Sequence, residues 1–377
     1  MSFRYAWIIF ITMVYFPCIL HGQETTQYQW INPATDERIQ FYGQGWDHED
    51  FKSPYDRLPS RAEGTVRDAV WGLSRNSTGI YLSFTTDAPQ IVIRYQTNPR
   101  YEMPHMPATG VSGLDLYVRG ISRDNLLWCR GQYSFKDTIT YTYSSLNTRH
   151  PDMGRSYDYN LYLPLYNAVQ WMEIGVPVEN TLSATPTDDQ KPVLVYGTSI
   201  AQGGCASRPA MGWTSIVQRG LDRPVINLAF SGNGRLESEV IALINEIDAS
   251  MYILDCLPNL TNAEQYPDDE LRKRIRESVL TLRKSHPESP ILLAAHAGYS
   301  EDQVTRSRFE SVNRVNRIQK EEFEKLRKEG VRLLYFLSQD DINMCMDCTV
   351  DGTHQTDLGM QYYADAYLKK IGKILTK

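Results

Sequence analysis

The stretch Lys191–Ile200, KPVLVYGTSI, constrains this chain more than any other. Its apolar run from Val193 to Tyr196 stops abruptly at Gly197 and the hydroxyl residues Thr198 and Ser199, as a buried strand does where it meets a turn. In an open parallel sheet that carboxyl end faces the ligand crevice, because helices cover both faces and the loops there are free to vary. Ser199 therefore has two readings at this point: a nucleophile, or the cap of a following helix.

Beyond this strand the same grammar repeats. Val225–Leu228, Tyr252–Asp255, Ile291–Ala295 and Val331–Phe336 are short apolar runs, and Asp269–Arg283, Glu301–Glu329 and Leu358–Leu375 read as helices between or after them. In the second helix Phe309, Val312, Val315, Ile318 and Phe323 mark the expected buried stripe. Strands alternating with helices predict a three-layer α/β/α domain with a parallel sheet over residues 191–377.

The front half is different. Ile80, Leu82 and Phe84 alternate, and Ile91–Tyr95, Leu114–Val118, Asp137–Tyr143 and Asn160–Leu165 follow between Gly, Pro and Asn turns. These short strands predict a jelly-roll-like β-sandwich over residues 23–181. The small, polar, proline-bearing segment 182–190 reads as the linker. Two domains are also what 377 residues lead one to expect.

Residues 1–22 have the form of a signal peptide: Arg4, an apolar run from Ala6 to Leu20, and small Gly22 at the cut. The run is short for a bilayer span, so the expectation is an exported protein, periplasmic or extracellular, with no membrane span in the mature chain. A net charge of −6 supplies no bulk attraction to nucleic acid. Past the leader stand Cys129, Cys205, Cys256, Cys345 and Cys348, an odd set that leaves at least one thiol free or paired between molecules. Cys345 and Cys348 predict a local disulfide pinning a loop; with no second matching pair they argue against a structural zinc. Cys205 and Cys256 are expected as buried thiols, with a bridge between them as the alternative.

Chemistry-bearing residues fall at successive strand ends. Ser199 follows the first strand, Gly232 lies in the glycine-broken loop Ala229–Gly234 after the second, Asn259 follows the third, and Asp351 and His354 precede the last helix. A serine hydroxyl is a poor nucleophile near neutral pH and needs an imidazole to take its proton; the imidazole needs a carboxylate to hold its tautomer. Asp351 and His354 lie close enough for one loop to present both. The charge developing on a carbonyl oxygen needs donors already in place, and the Ser199 and Gly232 amides with the Asn259 side chain are the candidates. Arg208 and Arg235, close in sequence to these loops, and His105, in the proline-stiffened loop Met103–Pro107, are candidate substrate contacts; His296, just past the fourth strand, is another, with a local hydrogen-bonding role as its alternative.

Gly197-Thr198-Ser199, Ser231-Gly232-Asn233, Pro258-Asn259 and Asp351-Gly352-Thr353-His354 together resemble the four sequence blocks of the SGNH, or GDSL, hydrolases. The resemblance covers roughly residues 188–377. It implies Ser199 as nucleophile, Gly232 and Asn259 as oxyanion donors, His354 as base with Asp351 beside it, and no metal or organic cofactor. Two departures stand out: Thr198 replaces the usual aspartate of the first block, and Leu257-Pro258-Asn259-Leu260 replaces Gly-x-Asn-Asp in the third. The front half, through Gly113-Leu114-Asp115-Leu116-Tyr117, is similar to the β-rich domain of exported bacterial carbohydrate esterases. The function so implied is removal of acetyl or other small acyl groups from an acylated glycan or other small ester. A lipase or acyltransferase using the same triad, and a non-catalytic glycan-binding protein, are the alternatives.

Overall fold

The computed structural model describes residues 26–119, 126–149, 156–186 and 189–375; the leader read at 1–22 lies outside them. Eleven strands build the front half: β1 (Tyr28–Ile31), β2 (Gln40–Tyr42), β3 (Tyr81–Thr86), β4 (Gln90–Thr97), β5 (Asp115–Arg119), β6 (Leu126–Cys129), β7 (Gln132–Ser134), β8 (Ile139–Ser144), β9 (Tyr157–Tyr162), β10 (Val169–Pro177) and β11 (Leu182–Ser183). They form two antiparallel sheets, β1-β10-β4-β8-β7 and β11-β3-β9-β5-β6, with β2 also on β3. Alternate residues such as Ile91, Ile93, Tyr95, Leu116, Ile139 and Ile174 fill the space between the sheets. Two short helices, α1 (Asp68–Ser74) and α2 (Ala108–Val111), lie in the connections.

The second half carries β12 (Val193–Gly197), β13 (Val225–Ala229), β14 (Met251–Asp255), β15 (Ile291–Ala294) and β16 (Leu334–Leu337). Its helices are α3 (Ser199–Gln202), α4 (Trp213–Leu221), α5 (Ser238–Ile244), α6 (Asp268–Ser285), α7 (Arg306–Lys328), α8 (Gln339–Ile342) and α9 (Asp357–Leu375). All strand pairs are parallel, in the order β13-β12-β14-β15-β16. The strands read as unbroken apolar runs because helices cover both faces. Leu194, Tyr196, Ile253's neighbours Tyr252 and Leu254, and Leu293 meet α5, α6 and α7 through Ile241, Ile275 and Val315. Val193, Val195, Ile253 and Leu292 meet Trp213 of α4 and Tyr363 and Tyr367 of α9 on the opposite face. The chain steps outward in both directions from β12, so the crevice at its carboxyl end is the switch point at which ligands bind in such sheets.

Three details differ from the sequence expectation. Leu182–Ser183 pairs with β3 and the Thr185 hydroxyl bonds Ser83 Oγ at 3.1 Å, so the sandwich extends into the predicted linker. The segment between β2 and β3 crosses to the other domain: Leu58, Ala62, Val66 and Val70 are buried in the core of the parallel sheet. The boundary near residue 190 therefore does not separate the two cores. In α7, Phe309 is 49% exposed while Val312, Val315 and Ile318 are buried; no residue of the helix before Val312 is buried, so its first turn overhangs the sheet. No helix among the described residues is long and apolar enough to cross a membrane.

The domains meet on tyrosines. Tyr81, Tyr117 and Tyr162 point away from the sandwich core and pack with Ala210. The Arg219 guanidinium lies 4.6 Å from the Tyr117 ring centre and 5.7 Å from that of Tyr162. The Tyr162 hydroxyl bonds Gln218. β3 is accordingly buried along both faces, one in the sandwich core and one in this seam.

Asp255, closing β14, is buried and accepts a hydrogen bond from the Tyr367 hydroxyl at 3.0 Å. Burial pushes its pKa up to about 7 from 3.8, and the phenol offsets this only in part. The native state then keeps a proton that the unfolded chain gives up, so stability falls as pH rises from about 4 to about 7 and levels off above. Asp255→Asn keeps an acceptor for Tyr367 and carries no charge. Its melting temperature is expected to exceed that of the parent at about pH 8, the gap closing toward about pH 4. Parallel melting curves across that range would contradict this account.

Candidate active site

Gly197 ends β12, and Thr198 caps α3, its hydroxyl accepting from the Ile200 N–H at 3.4 Å. The cap is thus Thr198, and Ser199, the first residue of the helix, keeps its hydroxyl for other partners. The Phe230 N–H donates to the Gly197 carbonyl at 3.0 Å, and the loop 230–234 lies against this turn so closely that a Cβ on Gly234 would stand 2.0 Å from Gly197 O. Only glycine fits there. Gly232 has φ +69°, and a Cβ on it would meet nothing within 4 Å, so its backbone faces open space.

His354 joins the parts. Its Nε2 lies 2.8 Å from Ser199 Oγ and its Nδ1 lies 2.8 Å from Asp351 Oδ2. Asp351 Oδ1 accepts from the His354 and Thr353 backbone N–H groups at 2.8 and 3.0 Å. Partial burial alone would raise the Asp351 pKa, but these N–H groups and the imidazole hold it down at about 2. The carboxylate is ionised throughout the neutral range and fixes the proton on Nδ1, which leaves the Nε2 lone pair facing the serine hydroxyl.

The loop that presents this pair is braced on every side. The expected Cys345–Cys348 disulfide is formed just ahead of it. The Thr356 N–H donates to Cys348 O at 2.9 Å and the Val350 N–H to His354 O at 2.8 Å. Arg308 donates to Thr353 Oγ1 at 3.1 Å while paired with Glu301 at 2.9 Å, and the Ser300 N–H reaches Gly352 O at 3.1 Å.

Opposite, the Asn259 carboxamide is satisfied in one orientation: Oδ1 accepts from the Asn233 and Gly234 N–H groups at 2.9 and 3.0 Å. That orientation turns the donating end, Nδ2, away from those two groups. Arg67 holds the same loop from outside, donating to Asn233 Oδ1 at 2.8 Å.

Three residues that the sequence did not single out complete the frame. Gln202 is buried and uses its whole carboxamide: Oε1 accepts from the Ser231 N–H at 2.8 Å, and Nε2 donates to Asn76 Oδ1 and Leu165 O, both at 3.2 Å. Tyr166 donates its hydroxyl to Ser199 O at 3.0 Å. Arg57, 1% exposed, lies beneath the loop and donates to Asn227 O at 3.0 Å and Ala229 O at 2.7 Å, its guanidinium 5.1 Å from the Phe230 ring centre. Burial pulls its pKa down to about 9. A glutamine one turn past the serine was the only available signal among these. The other two act across the domain border, where sequence spacing is silent.

Of the candidate substrate contacts, His105 comes nearest, its ring centre 5.9 Å from that of His354. It arrives from the sandwich domain, so with Tyr166 that domain lines the crevice. Arg235 is partly exposed and donates to Gly232 O at 3.0 Å, beside the same loop. Arg208 is turned to the domain border, bonding Asp115 and the Tyr117 hydroxyl, each at 2.9 Å. His296 is withdrawn from any substrate: it is 1% exposed, its Nδ1 accepts from the Gly298 N–H at 2.9 Å, and burial pulls its pKa down to about 3. It lies two residues past the end of β15, with the Tyr299 ring edge-on to it at 4.6 Å. Cys205 and Cys256 are separate thiols. Burial pushes Cys205 up to about 12, which keeps it protonated and a poor nucleophile beside the serine.

A hydroxyl, an imidazole and a carboxylate in hydrogen-bonded series at the switch point of a parallel sheet define a site of the serine-hydrolase type. Residues 190–372 match the GDSL-like Lipase/Acylhydrolase family, and residues 28–182 match the N-terminus of SGNH-hydro-type esterases. A Bacteroides ovatus protein carrying the provisional description of GDSL-like lipase is 30% identical, superposes with a TM-score of 0.81, and is matched over 93% of this chain and 98% of its own. A salicylyl-acyltransferase from a tetracycline biosynthetic pathway shares the fold at TM-score 0.71 and 19% identity, over 92% of this chain and 97% of its own. An acetyl xylan esterase from Butyrivibrio proteoclasticus shares it at TM-score 0.55 and 12% identity, over 92% and 99%. Among curated proteins none matches. The chain belongs to the SGNH/GDSL hydrolases that carry an N-terminal β-sandwich. Its chemistry is that of the family's esterases and acyltransferases, acting on carboxylic esters.

The packing of Gly234 on Gly197 yields a test. Gly234→Ala forces backbone apart from backbone and so moves the loop that carries Gly232. Ester turnover is expected to fall by about 10²-fold or more, the loss typical of displacing one oxyanion donor, the role expected of the Gly232 N–H from the sequence. Far-UV circular dichroism should stay unchanged; full activity would show that the loop's position does not matter.

Proposed function

We propose that this protein is an exported esterase that removes acetyl or other small acyl groups from carbohydrate, with Ser199 as nucleophile, His354 as general base and acid, and Asp351 as its orienting carboxylate. The single observation carrying the reading is the unbroken series Asp351–His354–Ser199, with both links at 2.8 Å. Ser199 Oγ attacks the ester carbonyl while Nε2 takes its proton. The oxyanion is met by the Ser199 and Gly232 N–H groups and by Asn259 Nδ2. The alkoxide leaves with the proton from His354, and water repeats the step to release the acid.

Support for a small acyl group comes from the acetyl xylan esterase among the proteins that share the fold. Support for a sugar substrate comes from the shared architecture of carbohydrate esterases such as the one from Butyrivibrio proteoclasticus, and support for export from the leader-like residues 1–22. An alcohol replacing water in the second step gives acyl transfer; the likeness to the salicylyl-acyltransferase keeps that reading beside hydrolysis.

Ser199→Ala is expected to abolish acetate release from acetylated xylan and from an activated acetate ester; turnover equal to the parent would sink the assignment. Asp351→Asn frees the wrong tautomer and should lower kcat by about 10⁴-fold with KM little changed. Acetate esters should be cleaved faster than octanoate esters, and the reverse order would favour a lipase. Product analysis with added alcohol separates transfer from hydrolysis.

A further inference from the structure

We propose that His105, Cys205 and His354 form a binding site for a borderline-soft divalent cation, zinc above all, and that its occupancy switches the esterase off. One ring nitrogen from each histidine and the Cys205 sulfur all lie within 4.8 Å of one another. Zinc bound at about 2.3 Å to sulfur and about 2.0 Å to nitrogen holds its ligands roughly 3.3–3.7 Å apart in a tetrahedron, so the cluster needs to close by about an ångström. His105 can supply that movement, since it is exposed at the tip of a tight turn in which Met103 and Met106 exchange backbone hydrogen bonds at 3.0 Å.

Each ligand is suited to the ion. His354 Nδ1 is bound to Asp351, the carboxylate–histidine arrangement that orients metal-ligating imidazoles, and the lone pair it leaves on Nε2 serves a cation as well as a proton. Cys205, a thiol in the metal-free protein, becomes a thiolate only on coordination: as the Zn–S bond forms, the ion displaces the thiol proton, which passes to solvent. Ser199 Oγ, 2.8 Å from Nε2, or a water takes the fourth position. Two nitrogens and a sulfur select zinc or cobalt over magnesium and calcium, which prefer oxygen. The Cys345–Cys348 pair that drew attention in the sequence is consumed by its disulfide, and this set of ligands comes together only in the fold, one from the sandwich and two from the other domain.

With Nε2 coordinated, the serine has no base, so metal and catalysis exclude one another. Inhibition rests on the role proposed for His354; binding does not, and the two are read separately. Cobalt(II) titrated into the full protein is expected to give a thiolate-to-cobalt charge-transfer band that zinc displaces, that is absent in Cys205→Ala and that weakens in His105→Ala, a change confined to an exposed turn. In parallel, zinc but not magnesium should inhibit ester turnover reversibly with chelator. Cys205→Ala, active without metal, should need roughly 10- to 100-fold more zinc for half-inhibition, since losing a ligand costs at least what losing an outer partner does. No cobalt–thiolate band in the parent protein, or equal zinc sensitivity of parent and Cys205→Ala, overturns the proposal. Cobalt binding through Cys205 in a protein without ester turnover would instead uphold the site and remove the catalytic reading.

Discussion

The 2.8 Å contact between Ser199 Oγ and His354 Nε2 joins residues 155 positions apart, and the rest of the architecture serves to hold it. A surface loop carrying two polar residues has no reason of its own to stay within hydrogen-bonding reach of a strand end. Here the loop is tied by covalent, ionic and backbone links at once: the Cys345–Cys348 bond, Arg308 on Thr353 and the carbonyl of Gly352 on Ser300. The cost of ordering that backbone, about 1–2 kcal/mol per residue, is met by several weak attachments acting together. On the other side Arg57, Arg67 and Gln202 hold the glycine loop. Geometry of this kind stands ready before a substrate arrives, which is where sites of the serine-hydrolase type gain their advantage over water.

Arg57, Arg67 and the two acceptors of Gln202 Nε2, Asn76 and Leu165, all precede β12 in the chain, so the first domain is part of the site's scaffold. The seam explains the motif at Gly113–Tyr117. Asp115 accepts from Arg208, the Ala210 N–H and the Trp128 indole at 2.9, 2.9 and 3.0 Å, and Tyr117 bonds Arg208. Burial raises the Asp115 pKa, and Arg208 and Ala210 pull against it. A carboxylate satisfied so fully is costly to strip of its partner, roughly 3–5 kcal/mol for a buried pair. Arg208, expected at the rim of the substrate cleft, is a joint between domains, and the neighbouring Ser207 bonds Asp357 at the start of α9, a few residues from His354.

What the sequence makes legible is what obeys local periodicity or clusters at strand ends. The five apolar runs, the alternating strands of the sandwich and the four chemistry-bearing loops all have that property, and the structure brings Ser199, His354 and Asp351 together. Illegible were contacts whose partners are remote: Leu58, Ala62, Val66 and Val70 stand in a β-rich half, yet they are buried in the other domain's core. His296 misled because nearness to a strand end was equated with a crevice wall, whereas two residues past β15 its ring is buried against that of Tyr299. Arg57 gave no sign at all, since an arginine among turns reads as solvated until its donors are found on Asn227 and Ala229 carbonyls.

The two departures from the family's blocks have one physical answer. Thr198 takes the position of an aspartate but performs the service the turn requires, accepting the Ile200 N–H through a hydroxyl. Asn259 has lost its customary neighbours, yet its orientation is not set by them: the Asn233 and Gly234 N–H groups, in the loop after β13, capture Oδ1 across the end of β12. The same two N–H groups also close the turn on Phe230 O, at 2.8 and 2.9 Å, and Gly234 is pressed on Gly197 with no space for a side chain. A carboxamide aimed by another loop's amides is insensitive to its own neighbours and acutely sensitive to that glycine.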